Sequence, residues 1–322
     1  MKTDKKIYLS IIAILIVVSG ILSVFLIQSN NRNQELQAQI ITKDQMVYEN
    51  LKGATAWQMS AEAQGLMLQA FEVAKNKLDD AIAKNGGMGD GLAIITDVDD
   101  TLVDGAHYTT DMMLGGKRDN VHFARFLMTD ACNVLPGALD FLNYAKENGV
   151  EIFYVTNRSE KGYKSTDEGY QNKNGYDENW DSLTDDLGIS MYDISLKQLK
   201  YLEFPYADEE HLIVNKPVKS SPKSKESARQ SIIAKGFQIA MLLGDDINDF
   251  TDDFEKEAVT RAKQATDAPY KDKWGTEWII LPNAVYGSWY NAIAEKNYSS
   301  VFESNRYTDY PVLWDVFQSK HK

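Results

Sequence analysis

The chain of 322 residues has a single cysteine, Cys132, and only four histidines, which are scattered along it. One cysteine excludes an intramolecular disulfide and a cysteine-based zinc site, and scattered histidines do not support a histidine-rich metal cluster. Positive charge is also scarce, since 34 Lys and Arg residues stand against 47 Asp and Glu and the net charge is −13. An acidic chain repels polyanions, so we expect no nucleic-acid polymer as partner. Any phosphate site must therefore supply its own positive charge from a metal ion or a fixed Lys or Arg.

A long apolar run lies near the N-terminus, from Ile7 to Ile27, and three lysines precede it. About 20 such residues can span a bilayer as a helix, and positive charge before the run places the N-terminus inside. We therefore predict a cytoplasmic tail at 1–6, a transmembrane signal anchor at 7–27 and a polar stalk at 28–50. The rest of the chain would then lie outside the cytoplasm, attached to the cell membrane by a single pass. Secretion after cleavage of the run stays an alternative, although no clean small-x-small cleavage site is present.

Short runs rich in Ile, Val and Leu alternate with helix-like stretches in the middle of the chain. The strand-length runs are Leu92–Ile95, Glu151–Val155, Leu212–Val214, Ile239–Leu243 and Trp278–Leu281. This alternation predicts an α/β fold with a Rossmann-like parallel sheet and helices on both faces. Catalytic groups in such sheets lie at the carboxyl ends of the strands.

Helical patterns flank this predicted sheet. In 51–90, apolar residues recur at spacings of three and four, which indicates an amphipathic helix; they are Leu68, Phe71, Ala74, Leu78 and Ile82. We predict an N-terminal helical segment at 51–90, a core domain at 91–286 and an aromatic-rich C-terminal helical segment at 287–322. The two helical segments are expected to form a smaller helical subdomain.

Polar side chains follow three of the predicted strands directly. The runs are Asp97-Val98-Asp99-Asp100-Thr101 after the first strand, Thr156-Asn157-Arg158 at the end of the second, and Gly244-Asp245-Asp246-Ile247-Asn248-Asp249 after the fourth. Lys223 follows Ser220-Ser221-Pro222, residues that fit the start of a helix. Each element alone is a weak signal, but together they would converge at one edge of one sheet, where a divalent cation would relieve the repulsion between carboxylates.

Such a set suits phosphoryl transfer through a covalent intermediate. Asp97 would be the nucleophile, and Asp99 would protonate the leaving alkoxide and then deprotonate the attacking water. Thr156 and Lys223 would bind the phosphoryl oxygens. Mg²⁺, held by Asp97, Asp245 and the backbone carbonyl of Asp99, would cancel the repulsion between carboxylate and phosphate.

Three of these stretches resemble signatures of the haloacid dehalogenase superfamily: Ile94–Thr101, Phe153–Arg158 and Leu243–Phe250. Within it the chain is most similar to the class C acid phosphatases, the bacterial surface lipoprotein 5'-nucleotidase group, on Trp57–Phe71 and Leu281–Trp289. The resemblance implies a magnesium-dependent acid phosphatase that hydrolyses small phosphomonoesters, nucleoside monophosphates among them, through an aspartyl-phosphate.

The resemblance also implies roles for individual residues. The implied catalytic residues are Asp97, Asp99, Thr156 and Lys223. The implied metal ligands are Asp97, Asp99, Asp245 and Asp249. The candidates for substrate binding are Thr156, Asn157, Arg158 and Lys223, together with Tyr108 and Tyr286, which fall just beyond strand ends and could stack on a nucleobase.

The sequence departs from the family pattern in three places. The family usually has Glu where Asp100 stands, and the lipid-modified cysteine of its members is absent, so the helical anchor is inferred from this sequence alone. Lys223 with Arg229 fits the family spacing, but Lys225 could be the functional lysine. A second hypothesis is an inactive surface nucleotide-binding or adhesion protein on the same fold, which a turnover assay would separate from the enzyme.

Overall fold

The computed structural model of the protein describes residues 18–32, 52–113, 120–129, 131–158, 188–214, 224–254, 258–289 and 292. The chain divides into two compact units, Met1–Leu51 and Lys52–Lys322. In the first unit, residues 18–32 form a helix, α1. Among the described residues, no helix combines the length and the apolar character needed to cross a membrane. Much of the predicted anchor at 7–27 lies outside those residues, so the anchor and the division into segments stay predictions.

The second unit alternates strands and helices. In chain order its elements are α2 (52–58), α3 (Ala61–Lys84), β1 (Leu92–Thr96), α4 (Ala106–Met113), α5 (Asn120–Leu127), α6 (Ala138–Glu147), β2 (Glu151–Thr156), α7 (Met191–Tyr201), β3 (Leu212–Val214), α8 (Glu226–Ala234), β4 (Gln238–Gly244), a 3₁₀ helix (Ile247–Asp249), α9 (Ala258–Thr266), a second 3₁₀ helix (Tyr270–Asp272) and β5 (Trp278–Ile280).

The five strands form one sheet in the order β3-β2-β1-β4-β5, and every neighbouring pair is parallel. The predicted α/β fold with a parallel sheet is therefore confirmed. Each predicted strand is present, and its ends lie within one residue of the prediction. After β1 the chain adds β2 and β3 on one side of that strand, and it then crosses to add β4 and β5 on the other side. That reversal opens a crevice beyond the carboxyl ends of β1 and β4, the place where ligands bind in open α/β sheets.

Alternate residues of the strands supply two hydrophobic cores, one on each face of the sheet. On one face Ile94 and Ile152 pack with side chains of α3, α6 and α7. On the other face Ile95 and Val155 pack with Ile232 of α8 and its neighbours. Successive side chains of a strand point to opposite faces of the sheet. Strands that are buried on both faces therefore appear in the sequence as continuous apolar runs.

Helix α3 lies against the same core as the sheet. Ser60 caps its N-terminus by accepting a hydrogen bond from the backbone N–H of Ala63 at 3.2 Å. Its buried stripe is Ala63, Met67, Phe71, Ala74 and Leu78. The prediction that Leu68 belongs to this stripe is wrong, since Leu68 is 52% exposed. At 3.6 residues per turn Leu68 falls at the border of the stripe, and Met67 takes the buried position.

Candidate active site

Three carboxylates gather at the carboxyl ends of β1 and β4. Asp97 follows β1 directly, Asp245 follows β4 directly, and Asp249 ends the 3₁₀ helix beyond β4. A carboxylate oxygen from each lies within 4.8 Å of the others, and all three side chains are nearly buried. The structure therefore brings together Asp97 and Asp245, as the strand ends predict, together with Asp249.

Lys225, the residue before α8, places its ammonium group among these carboxylates. Its Nζ forms ion pairs with Asp97 and, at 2.8 Å, with Asp249 Oδ1, and its side chain is 2% exposed. Lys223 lies outside the described residues. Of the two lysines that the sequence leaves open, Lys225 is the one that the structure places in the cluster.

Short polar contacts fix the orientation of Asp245 and Asp249. Asp245 accepts hydrogen bonds from the Thr101 hydroxyl at 2.9 Å and from Asn283 Nδ2 at 2.7 Å. Asp249 Oδ2 accepts the backbone N–H groups of Asp245 at 3.1 Å and Asp246 at 2.9 Å. This approach requires glycine at position 244, because a Cβ there would stand 2.3 Å from Asp249 Oδ2.

The cluster has an excess of negative charge. Burial raises the pKa of Asp97 to about 7, and Lys225 opposes that rise. Burial and the charges of Asp249 and Asp97 raise the pKa of Asp245 well above its ordinary value. Burial alone would lower the pKa of Lys225, but Asp249 and Asp97 raise it above its usual range. Burial is thus the main cause of the raised pKa values of the acids, and repulsion between the carboxylates adds to it. The raised pKa of the lysine comes from the carboxylates that face it.

A divalent cation fits this donor set. Three ionised carboxylates and one ammonium leave a charge of −2, which one Mg²⁺ ion would balance. The donors are all hard oxygens, as Mg²⁺ prefers. Asp97, Asp245 and Asp249 are the side chains that would hold or orient the metal; a contribution from the backbone carbonyl of Asp99 stays a prediction.

Asp99 points its carboxylate at an arginine. Arg158 donates from Nε to Asp99 Oδ2 at 2.8 Å and from Nη2 to Asp99 Oδ1 at 2.7 Å. The buried guanidinium of Arg158 also donates from Nη1 to the hydroxyl of Ser195 at 3.1 Å. Thr156 is buried at the end of β2, at the same edge of the sheet, and Asn157 next to it is exposed.

The two tyrosines have different surroundings. Tyr108 packs in an aromatic group with His122, Phe123 and Phe126, at ring-centroid distances of 5.1 to 5.6 Å. The structure thus shows Tyr108 packed among aromatic side chains, and its stacking on a nucleobase stays a prediction.

Tyr286 is 37% exposed, while its hydroxyl reaches the buried carboxylate of Asp100. Asp100 also accepts the backbone N–H of Gly105 at 3.1 Å. Burial and the nearby Asp100 charge raise the pKa of Tyr286 well above its ordinary value, so its hydroxyl stays protonated. The ring of Tyr286 therefore has a fixed place beside the carboxylates, with part of its surface open to solvent.

Sequence reasoning missed the residues that hold the loop after β5. Asn283 binds Asp245 through its amide nitrogen and accepts the backbone N–H groups of Val285 at 2.9 Å and Tyr286 at 3.2 Å. Gln58 of α2, which is 1% exposed, donates to the Pro282 carbonyl at 2.8 Å. Asn283 could have been found by the rule that identified the acids, since it too follows a strand. Gln58 gave no such signal, because its partner lies 224 residues away.

Comparison with known proteins agrees with this geometry. The profile of the HAD superfamily, subfamily IIIB (acid phosphatase), matches residues 22–289. The fold is similar to the class C acid phosphatase from Bacillus anthracis, with a TM-score of 0.61, 25% identity and coverage of 81% of this chain and 98% of the other. A second structure of the Bacillus anthracis enzyme, with tungstate bound, has a TM-score of 0.60 and 27% identity over 78% of this chain and 91% of the other.

Proposed function

Because the chain belongs to subfamily IIIB of the HAD superfamily, the acid phosphatases, we propose that it hydrolyses small phosphomonoesters, nucleoside monophosphates among them, through an aspartyl-phosphate and with the help of Mg²⁺. One observation carries the proposal: Asp97, Asp245, Asp249 and Lys225 share one nearly buried cluster at the carboxyl ends of β1 and β4. The cluster combines a nucleophile, metal ligands and a cation for the phosphoryl oxygens.

In the first proposed step an oxygen of Asp97 attacks phosphorus while the ester P–O bond breaks. The carboxyl group of Asp99 gives its proton to the leaving oxygen, and the alcohol departs. In the second step water attacks the phosphorus of the aspartyl-phosphate and gives a proton to Asp99. The bond between phosphorus and Asp97 then breaks, which releases inorganic phosphate and restores both carboxyl groups.

The positive charge for this reaction has two sources. A bound Mg²⁺ would neutralise the repulsion between the attacking carboxylate and the phosphate. Lys225 contributes a fixed charge beside Asp97, where a phosphoryl oxygen of the substrate would lie. Tungstate, found in the relative from Bacillus anthracis, is a tetrahedral oxyanion like phosphate, which supports a site for that shape here.

Substrate preference and location complete the proposal. The partly exposed ring of Tyr286, held beside the acids, offers an apolar face on which a nucleobase can stack. We also propose that residues 7–27 anchor the protein in the cell membrane with the phosphatase domain outside the cytoplasm. The basis for this location is the sequence alone, namely the apolar run and the lysines before it.

The test is phosphate release from p-nitrophenyl phosphate and from a panel of nucleotides and sugar phosphates, with Mg²⁺ or with EDTA. We expect release with Mg²⁺, its loss with EDTA and its loss in the Asp97→Asn variant. Full activity of that variant, or full activity in EDTA, would refute the mechanism. Tight nucleotide binding with no released phosphate would instead support the inactive surface protein.

A further inference from the structure

We infer that Arg158 is a positioning residue, which orients the carboxyl group of Asp99 toward the leaving group instead of binding substrate. The inference rests on the proposed function, because it assigns Asp99 the role of proton donor and acceptor. It concerns the orientation of that carboxyl group, which the guanidinium holds from one side.

The contacts form a continuous chain from a helix to the reacting centre. Arg158 Nε and Nη2 bind the two oxygens of Asp99 at 2.8 and 2.7 Å, so the two planar groups meet edge to edge. The remaining guanidinium nitrogen, Nη1, donates to Ser195 Oγ on α7 at 3.1 Å. The Arg158 backbone N–H also donates to Thr156 Oγ1 at 3.2 Å, which places the arginine directly after β2.

Burial shows which of the two partners faces the crevice. The side chain of Arg158 is 1% exposed, whereas that of Asp99 is 17% exposed. Ser195 is buried as well. The guanidinium thus lies behind Asp99, out of reach of an incoming ester, and Asp99 is the only member of this chain of contacts with appreciable access to solvent.

The fork geometry decides what Asp99 can do. A bidentate pair occupies one lone pair on each carboxylate oxygen, in the plane of the group. The lone pairs on the far side stay available to exchange a proton with the leaving oxygen and then with water. A lysine has the same charge but no planar fork, so it cannot fix the plane of the carboxylate in this way.

The experiment compares kcat/KM for a series of esters in the full chain, as wild type, Arg158→Lys and Arg158→Gln. The series runs from p-nitrophenyl phosphate, whose leaving anion needs no proton, to an alkyl phosphate, whose leaving alkoxide does. We expect kcat/KM for the alkyl ester to fall about 10²-fold or more, as for loss of general acid catalysis. The fall in kcat/KM for p-nitrophenyl phosphate should be much smaller. The Arg158→Lys variant should lose as much kcat/KM for the alkyl ester as Arg158→Gln.

Two further measurements separate positioning from other roles. Inhibition by orthophosphate should be nearly unchanged in Arg158→Lys, whereas a substrate-binding arginine would weaken it. In an Asp99→Asn background, the arginine substitution should cause no further loss of kcat/KM for the alkyl ester. The effects of two residues that act as one unit are not additive. If neither arginine variant folds, Ser195→Ala, which removes only the Nη1 partner, should show the same leaving-group bias on a smaller scale.

The inference would be overturned if the Arg158 variants lost kcat/KM equally for all esters, or if Arg158→Lys bound orthophosphate more weakly. Additive losses in the double variant would overturn it as well. A wild-type chain that releases phosphate from no ester would instead refute the proposed function, so the two failures are distinguishable.

Discussion

Among the described residues, Lys225 carries the one cationic group in contact with Asp97, the proposed nucleophile. Removal of this group should therefore disturb the whole cluster. The ammonium lies between Asp97 and Asp249 and is almost fully buried. Breaking a buried ion pair by removing one partner costs about 3–5 kcal/mol, because the remaining charge is left uncompensated. In the proposed mechanism the same group faces the phosphoryl oxygens, so we expect it to serve stability and chemistry together.

Substitution of the two neighbouring lysines tests this role at the residue scale. We expect Lys225→Ala to lower kcat/KM for p-nitrophenyl phosphate by roughly 10²- to 10³-fold, as for loss of a charge-stabilising group. Lys223→Ala is the matched control and should keep activity within a few-fold of wild type. Steady-state kinetics on both variants shows which lysine is the functional one. A severe loss of kcat/KM in Lys223→Ala, with an active Lys225→Ala, would assign that role to Lys223 instead.

Sequence reasoning located some of these residues and not others for a physical reason. Asp97, Thr156 and Asp245 stand at strand ends, and parallel strands necessarily present their carboxyl ends at one edge. Lys225 comes before a helix, where a shift of two residues changes which lysine points inward, so the sequence left two choices. The partner of Arg158 was not predictable, because a guanidinium after a strand serves a substrate or a carboxylate equally well.

At the scale of elements, the turn from β4 into the 3₁₀ helix determines where Asp249 sits. The Asp249 side chain folds back over Gly244 and binds two backbone N–H groups at the end of β4. A Cβ at position 244 would overlap both Cβ and Oδ2 of Asp249, each at 2.3 Å. The backbone of the turn and the proposed metal site are thus coupled through Gly244, which has no side chain.

Replacement of that glycine should damage both stability and metal binding. We expect Gly244→Ala to destabilise the protein by about 1–3 kcal/mol through overpacking and to weaken Mg²⁺ binding roughly 10- to 100-fold through the displaced carboxylate. Gly65→Ala is the control, since Gly65 lies in α3 with no atom within 4 Å of an added Cβ. It should stabilise the helix by about 0.5–1 kcal/mol. Denaturant unfolding measures the stability of both variants, and Mg²⁺ titration measures their metal affinity. An unchanged Mg²⁺ affinity in Gly244→Ala would contradict the coupling.

The elements themselves were largely predictable, and their spatial order was not. Strands such as Glu151–Thr156 are buried on both faces and therefore form recognisable apolar runs. The order β3-β2-β1-β4-β5 depends on which strands pair, and no local pattern encodes that choice. Likewise the period of α3 was found, but its exact face was not, because Met67 and Leu68 are both apolar and adjacent.

At the scale of the whole molecule, the buried acids link stability to pH and to the metal. The folded-state pKa of Asp97 is raised to about 7 by burial, whereas an unfolded Asp has a pKa of about 3.9. Between these values the folded state holds the proton more tightly than the unfolded state, so metal-free stability should fall as pH rises from about 4 to about 7. Burial raises the pKa of Asp100 to about 7 as well, which adds to the fall in the same window.

Thermal unfolding in EDTA and in Mg²⁺ across that window measures the linkage. We expect the melting temperature in EDTA to decrease with pH, and the stabilisation by Mg²⁺ to grow, because the metal binds the ionised carboxylates of the folded state. Asp97→Asn should reduce the pH dependence of the melting temperature in EDTA, and the contribution of Asp100 should remain. A melting temperature in EDTA that increases from pH 4 to pH 7 would show that these acids are not buried as the structure has them.

In the proposed mechanism the carboxylate of Asp97 becomes phosphorylated during turnover. Acid quench of the protein during hydrolysis, followed by borohydride reduction, converts a phosphorylated aspartate into homoserine, which peptide mass spectrometry locates. We expect homoserine at position 97 in the presence of Mg²⁺ and substrate, and none there in EDTA. Homoserine at another aspartate, or rapid turnover with position 97 unmodified under every quench time, would contradict it.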